Sequence, residues 1–380
     1  NNTGLTDDTR YYYRVSAYNG GGSSSYISGD ARTLPDPPSA PSNLTFTPIT
    51  STSITLNWSD NSNNEDGFEI FRSAFSGGPY ASVGTTGPGI STFVSTGLSN
   101  NTRYYYRVYA FNTGGSSAAV SGSAITLPTR PSAPSELTFS SITNNSIRLN
   151  WTDNSNNEDG FEIFRSTSSS GRFGSVGTTG SGIATFNNTG LSDDTQYFYR
   201  VYAFNSGGSS LTYASGSATT LPLAPDAPSN LTFGLVGTNS IELSWTDNSD
   251  NEDGFEIFRS IYSWGMFASV GTTGSNVTSF NSTGLNSNTT YYYRVYAFNS
   301  GGSSSYVSGN EKTLPGAPAA PTNLSFGDIT NASIRLSWTD NSNNEDGFEI
   351  FRSLSSGGTY VSIASVGPGM TSYNNTGLNE

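Results

Sequence analysis

The stretch DNSNNEDGFEIFRS starts at Asp60, recurs letter for letter from Asp153 and Asp340, and recurs from Asp247 with Asp250 replacing an Asn. More than half of the 29 acidic residues lie in these four copies. Carboxylates at that density could serve two chemistries. Calcium takes roughly six to eight oxygen ligands from a tightly turned loop, and a close pair such as Glu65 and Asp66 could act as the two acids of a glycoside hydrolase. Neither pattern is met. An EF-hand loop needs Gly and Glu where this one has Glu65 and Phe71. A hydrolase sets its acids across one cleft, whereas these are adjacent on a loop repeated four times. A rigid turn needs nothing further, because Asp and Asn side chains bond nearby backbone N–H groups and Gly67 can take a positive φ. A structural turn is therefore expected, with no metal, no cofactor and no catalytic residue. Glu69, on the strand after the loop, is expected to pair across the sheet with Arg107.

Composition removes other chemistries. There is no histidine and no cysteine, so the usual general base and thiolate metal sites are missing, and no G-x-S-x-G elbow surrounds any of the many serines. With a net charge of −13 and Lys312 as the sole lysine, the chain has no basic footprint for nucleic acid. No apolar run reaches the ~18 residues of a membrane span. Lack of cysteine fits a secreted bacterial protein. The chain opens at Asn1 without Met or an apolar leader, so any signal peptide is expected to be removed or upstream. Asn-x-Ser/Thr sequons such as Asn43, Asn100, Asn187 and Asn281 are at the frequency chance gives in so Asn-, Ser- and Thr-rich a chain.

The elements that hold these loops repeat with them. Trp58, Trp151, Trp245 and Trp338 follow one another every 93 or 94 residues, as do Gly4, Gly97, Gly190, Gly284 and Gly377. That period is too long for a solenoid turn and suits a β-sandwich of roughly 100 residues. Within a period, SITLNW alternates Ile54, Leu56 and Trp58 on one face, and TRYYYRVYAFN alternates Tyr104, Tyr106, Val108 and Ala110. Turn signals separate seven short strands, which predicts an all-β chain of Greek-key sandwiches.

The strand tryptophan, the stretch GLSNNTRYYYRVYAFNTGG and the proline-bounded end together resemble the fibronectin type III family. The family pattern falls on Leu98, Tyr104, Tyr106, Val108, Ala110, Asn112 and Gly114, and begins again at Leu5 with Tyr11, Leu191 with Tyr197 and Leu285 with Tyr291. The resemblance is to the bacterial extracellular branch and covers essentially the whole chain. It implies a tandem array of seven-stranded immunoglobulin-like sandwiches: the end of one repeat in 1–35, full repeats in 36–128, 129–222 and 223–315, and the start of another in 316–380. Each edge part would expose core residues alone, so completion by a longer parent chain or by a neighbouring subunit's strands is expected. The joints LPDPPSAP, LPTRPSAP, LPLAPDAP and LPGAPAAP favour an extended polyproline path, and hence a semi-rigid rod. The turn where some animal relatives carry RGD reads NTGGSS here.

If one face of the tyrosine strand is core, the other presents Tyr105, Arg107, Tyr109 and Phe111, then Phe198, Arg200, Tyr202 and Phe204, then Tyr292, Arg294, Tyr296 and Phe298. Phe71, Phe164, Phe258 and Phe351 are expected on the same sheet face. Cross-strand packing of rings on arginines is one use for this stripe. The other is an interaction surface for a second chain or for sugar rings. The leading expectation is a structural segment of a secreted, multi-repeat fibre or cell-surface stalk that self-associates. The alternative is a spacer or carbohydrate-binding accessory module of a polysaccharide-degrading enzyme.

Overall fold

In the computed structural model, which describes residues 2–378, every regular element is a strand. The chain divides after Thr220 into two compact units. The first holds two complete sandwiches and the strand pair Arg10–Val15 and Ile27–Arg32. The second holds one complete sandwich and a further set of strands from Thr322–Gly327 to Ser372–Thr376.

The complete sandwich at residues 42–125 shows the plan. One sheet orders Ser42–Ile49, Ile54–Ser59 and Thr92–Ser95. The facing sheet orders Ala81–Thr86, Gly67–Ser73 and Arg103–Asn112, with Val120–Ile125 on the far side of the last. All pairings are antiparallel. A two-residue strand, Gly115–Ser116, is added to the expected seven where the tyrosine strand turns back. The sandwich at residues 135–219 repeats this order. In the second unit the last two strands of the complete sandwich merge into one, Gly302–Lys312.

Alternation places the core as the sequence predicts. Ile54, Leu56, Tyr106, Val108 and Ala110 are fully buried, and the Trp58 indole packs edge-on against Phe68 at 5.3 Å. The same contact joins Trp151 to Phe161 and Trp245 to Phe255 at 5.4 Å. The corner tyrosine accepts a hydrogen bond from the chain five residues earlier: Ser192 N–H donates to Tyr197 Oη, and Asn286 N–H to Tyr291 Oη, each at 2.9 Å. This bond fixes the crossover into the long strand, so the register of the inward set follows from it.

The proline joints are not free spacers. Leu127 is held by the repeat it leaves, donating its N–H to Thr50 O and accepting from Asn101 N–H. Thr129 is held by the next repeat, its carbonyl accepting from Asn157 Nδ2 and Asn205 Nδ2 at 2.9 and 2.8 Å. Only Pro128 stands between. The same arrangement leaves only Pro35 between Leu34 and Asp36, and only Pro315 between Leu314 and Gly316. Pro has no N–H to give, so the joint is gripped by its carbonyls. Gly207 permits this approach, since a Cβ there would collide with the Pro128 carbonyl.

Removing the corner hydroxyl tests how much the sandwich depends on it. Tyr197→Phe strands the Ser192 N–H, and urea unfolding of the chain should lose about 1–3 kcal/mol in the repeat that carries it.

Candidate interaction surface and the acidic loop

Five side chains of the acidic loop are used inside the fold. Asp153 Oδ1 accepts from Ser155 N–H at 3.0 Å, closing the expected Asx turn. Asn154 Nδ2 donates to Ala133 O at 3.0 Å, and Asn157 Nδ2 donates to Thr129 O, so both grip the entering proline segment. Ser155 Oγ bonds Asn157 Oδ1 at 2.9 Å and orients it. Glu158 reaches the turn between the sheets, where Ser181 Oγ–H and Gly182 N–H donate to its Oε1 at 2.9 and 3.2 Å. The other three copies repeat the Asx turn, both asparagine bonds and the glutamate bond. Asp250 falls at the exposed position of Asn63 and Asn156, and these side chains make no hydrogen bond among the described residues. The one variable letter therefore sits where the fold makes no demand.

Hydrogen bonds from its own backbone N–H, then from Ser181, hold the Glu158 carboxyl below its ordinary value of 4.5, against the upward push of burial. Its second oxygen, like those of Glu65, Glu252 and Glu345, is buried without a protein partner.

The outward face of the larger sheet carries the predicted stripe. In register, Arg107 faces Phe71 and Tyr109 faces Glu69, while Tyr105 faces Ser73 and Phe111 faces Gly67. The expected Glu69–Arg107 pair does not form; Arg107 instead lies 4.0 Å over the Tyr80 ring. The reason is register: the directly opposed residue is Phe71, and Tyr80 from the neighbouring hairpin fills the space above the guanidinium. Arg200 is flanked by Phe173 at 3.8 Å and Tyr213 at 4.8 Å, and Arg294 by Phe267 at 4.0 Å and Tyr306 at 4.5 Å. Phe71 meets Tyr109 edge-on at 5.5 Å, as Phe164 meets Tyr202 and Phe258 meets Tyr296. Phe198 and Tyr292 face Ser166 and Ser260, and Phe204 and Phe298 face Gly160 and Gly254. Within the complete sandwiches these stripe residues are half-buried by one another, so the stripe is a packed layer with its rim open to solvent. Phe351, which has no tyrosine strand beside it among the described residues, is 50% exposed.

Alternation along single strands finds the stripe but misses the rings that sandwich its arginines. Tyr80, Phe173 and Phe267 end the hairpin after the FEIFRS strand, and a signal was present: an aromatic stands at this place in every copy.

Comparison with known proteins agrees with this architecture. The fibronectin type III domain matches residues 39–125, 132–219 and 226–310. The chain belongs to the fibronectin type III family. Its relatives include exoglucanase B of Cellulomonas fimi, 29% identical over 307 residues, covering 73% of this chain and 26% of that protein. Exoglucanase A of the same organism is 31% identical over 311 residues, covering 75% of this chain and 32% of the enzyme. Chitinase A1 of Niallia circulans is 28% identical over 184 residues, covering 45% and 24%. The chain thus spans about a quarter to a third of these relatives.

Two outcomes follow for these fibronectin type III repeats. The depressed Glu158 carboxyl contributes stability that is complete above pH 4.5 and is lost as pH falls through its lower folded value. Glu158→Gln should flatten that acid limb in melts between pH 3 and 6 (approximate bounds). Melts in calcium and in chelator should superimpose, and a calcium-dependent rise would give the unpartnered oxygens a ligand. A third outcome concerns the stripe, where Arg200→Met should cost about 0.5–2 kcal/mol by removing a cation held between two rings.

Proposed function

We propose that this segment is a spacer and accessory module of a longer, secreted polysaccharide-degrading enzyme. The observation that carries the reading is the match to two exoglucanases and a chitinase, each several times longer than the matched region. The fold is consistent with it. The chain holds three tandem family domains, and nothing among the described residues groups three or more acids, histidines or cysteines as a metal centre would need. The structural fibre or stalk draws on the near-identity of the copies, and the self-association that goes with it on the outward stripe. The outward stripe could serve either role, and its self-packed arginines and rings leave a rim for a partner.

The native polypeptide decides between the readings. Denatured mass and peptide sequencing should find a chain well above the 40.1 kDa of these residues, with a polysaccharide-hydrolysing domain. A native chain built from fibronectin type III repeats alone would overturn the proposal and restore the fibre.

A further inference from the structure

Four hairpins follow the FEIFRS strand, and one departs from the rest. They read AFSGGPY from Ala74, TSSSGRF from Thr167, LSSGGTY from Leu354, and IYSWGMF from Ile261. Trp264 is the only tryptophan outside the 93-residue register, and it replaces Gly77, Ser170 and Gly357. It is 85% exposed, beside Met266 at 95% and Tyr262 at 55%. A single exposed apolar side chain is ordinary, but three on one short tip make a patch.

The tip is built rather than loose. Ser260 Oγ accepts from Tyr262 N–H at 3.1 Å, and Gly265 N–H donates to Tyr262 O at 3.3 Å. Phe267 anchors the returning limb under Arg294. The Tyr262 and Trp264 rings stack with centroids 5.5 Å apart and planes within 27°. Tyrosine therefore supports one face of the indole, and the high exposure leaves the other face open.

We propose that Trp264, backed by Tyr262, is a platform for the apolar face of a pyranose ring in a neutral polysaccharide. Three observations select that occupant. A seven-residue tip is far smaller than the ~800 Å² per partner of a stable protein interface, whereas one sugar ring needs only one aromatic face. A net charge of −13 with a single lysine opposes an anionic polymer or an anionic membrane surface. Three of the relatives are named as exoglucanases or a chitinase. The inference rests on the accessory-module reading and gives it a ligand class and a location.

The test is depletion of the full 380-residue chain by microcrystalline cellulose and by chitin, with soluble cellohexaose and chitohexaose followed by tryptophan fluorescence. The wild-type chain should bind at least one polymer. Trp264→Ala should weaken that binding about tenfold at an unchanged melting temperature, Trp264→Tyr should retain most of it, and Asn156→Ala should leave it unaltered. A wild-type chain that both polymers leave in solution overturns the platform, as does a Trp264→Ala chain that binds as well as wild type. Trp264-dependent binding to phosphatidylcholine vesicles instead of sugar also overturns it. None of these outcomes touches the accessory-module reading, which stands or falls on the composition of the native polypeptide.

Discussion

The interaction on which the rest depends is the grip of loop asparagines on the carbonyls of the proline joint. A proline-rich entry segment can accept hydrogen bonds but donate few, so whatever fixes it must supply N–H groups. Asn154, Asn157 and Asn205 supply them from two different turns of one sandwich. Asn205 Nδ2 also donates to Asn157 O at 2.9 Å, and its Oδ1 accepts from Gly207 N–H at 2.8 Å. A buried amide thus joins the acidic loop, the glycine turn and the joint. This is why a chain with few charges repeats one loop so faithfully: Asp153, Asn154, Ser155, Asn157 and Glu158 are each specified by what they hold.

The same logic separates the two sheet faces. Inward, the tryptophan–phenylalanine contact and the corner tyrosine fix the register of the long strand. That register then leaves an arginine opposite a phenylalanine on the outer face. Unable to meet the glutamate two places along, the arginine takes rings from the adjoining hairpins. Cation–π contacts and edge-on ring pairs bury the stripe against itself, at a gain of about 0.5–2 kcal/mol per cation. Specialisation is then left to the hairpin tips, whose sequence the core does not constrain. Trp264 uses that freedom.

Much of this was legible in the sequence, and the limits have physical causes. Period and alternation reveal sandwiches and inward residues because core faces tolerate little else; Tyr106, Val108 and Ala110 are fully buried as their spacing requires. The Asx turn was legible because it is local. The partners of Asn157 and Glu158 were not, since Thr129 lies 28 residues and Gly182 24 residues away along the chain. Nor were the rings over Arg107 and Arg200, which come from neighbouring hairpins and not from the alternating strand itself. The IYSWGMF tip broke the repeat pattern openly, but a deviation gains meaning only once its exposure is known.

The clasp can be tested by substituting neighbouring asparagines of one loop. Thermal unfolding should be compared for Asn156→Ala and Asn157→Ala in the full chain. Asn157 holds the joint and the Asn156 side chain has no hydrogen bond among the described residues, so Asn157→Ala should lower the stability of its repeat by about 1–2 kcal/mol while Asn156→Ala stays within about 0.5 kcal/mol of the parent. Equal effects at the two positions would contradict the clasp and make the repeated loop a matter of general turn chemistry.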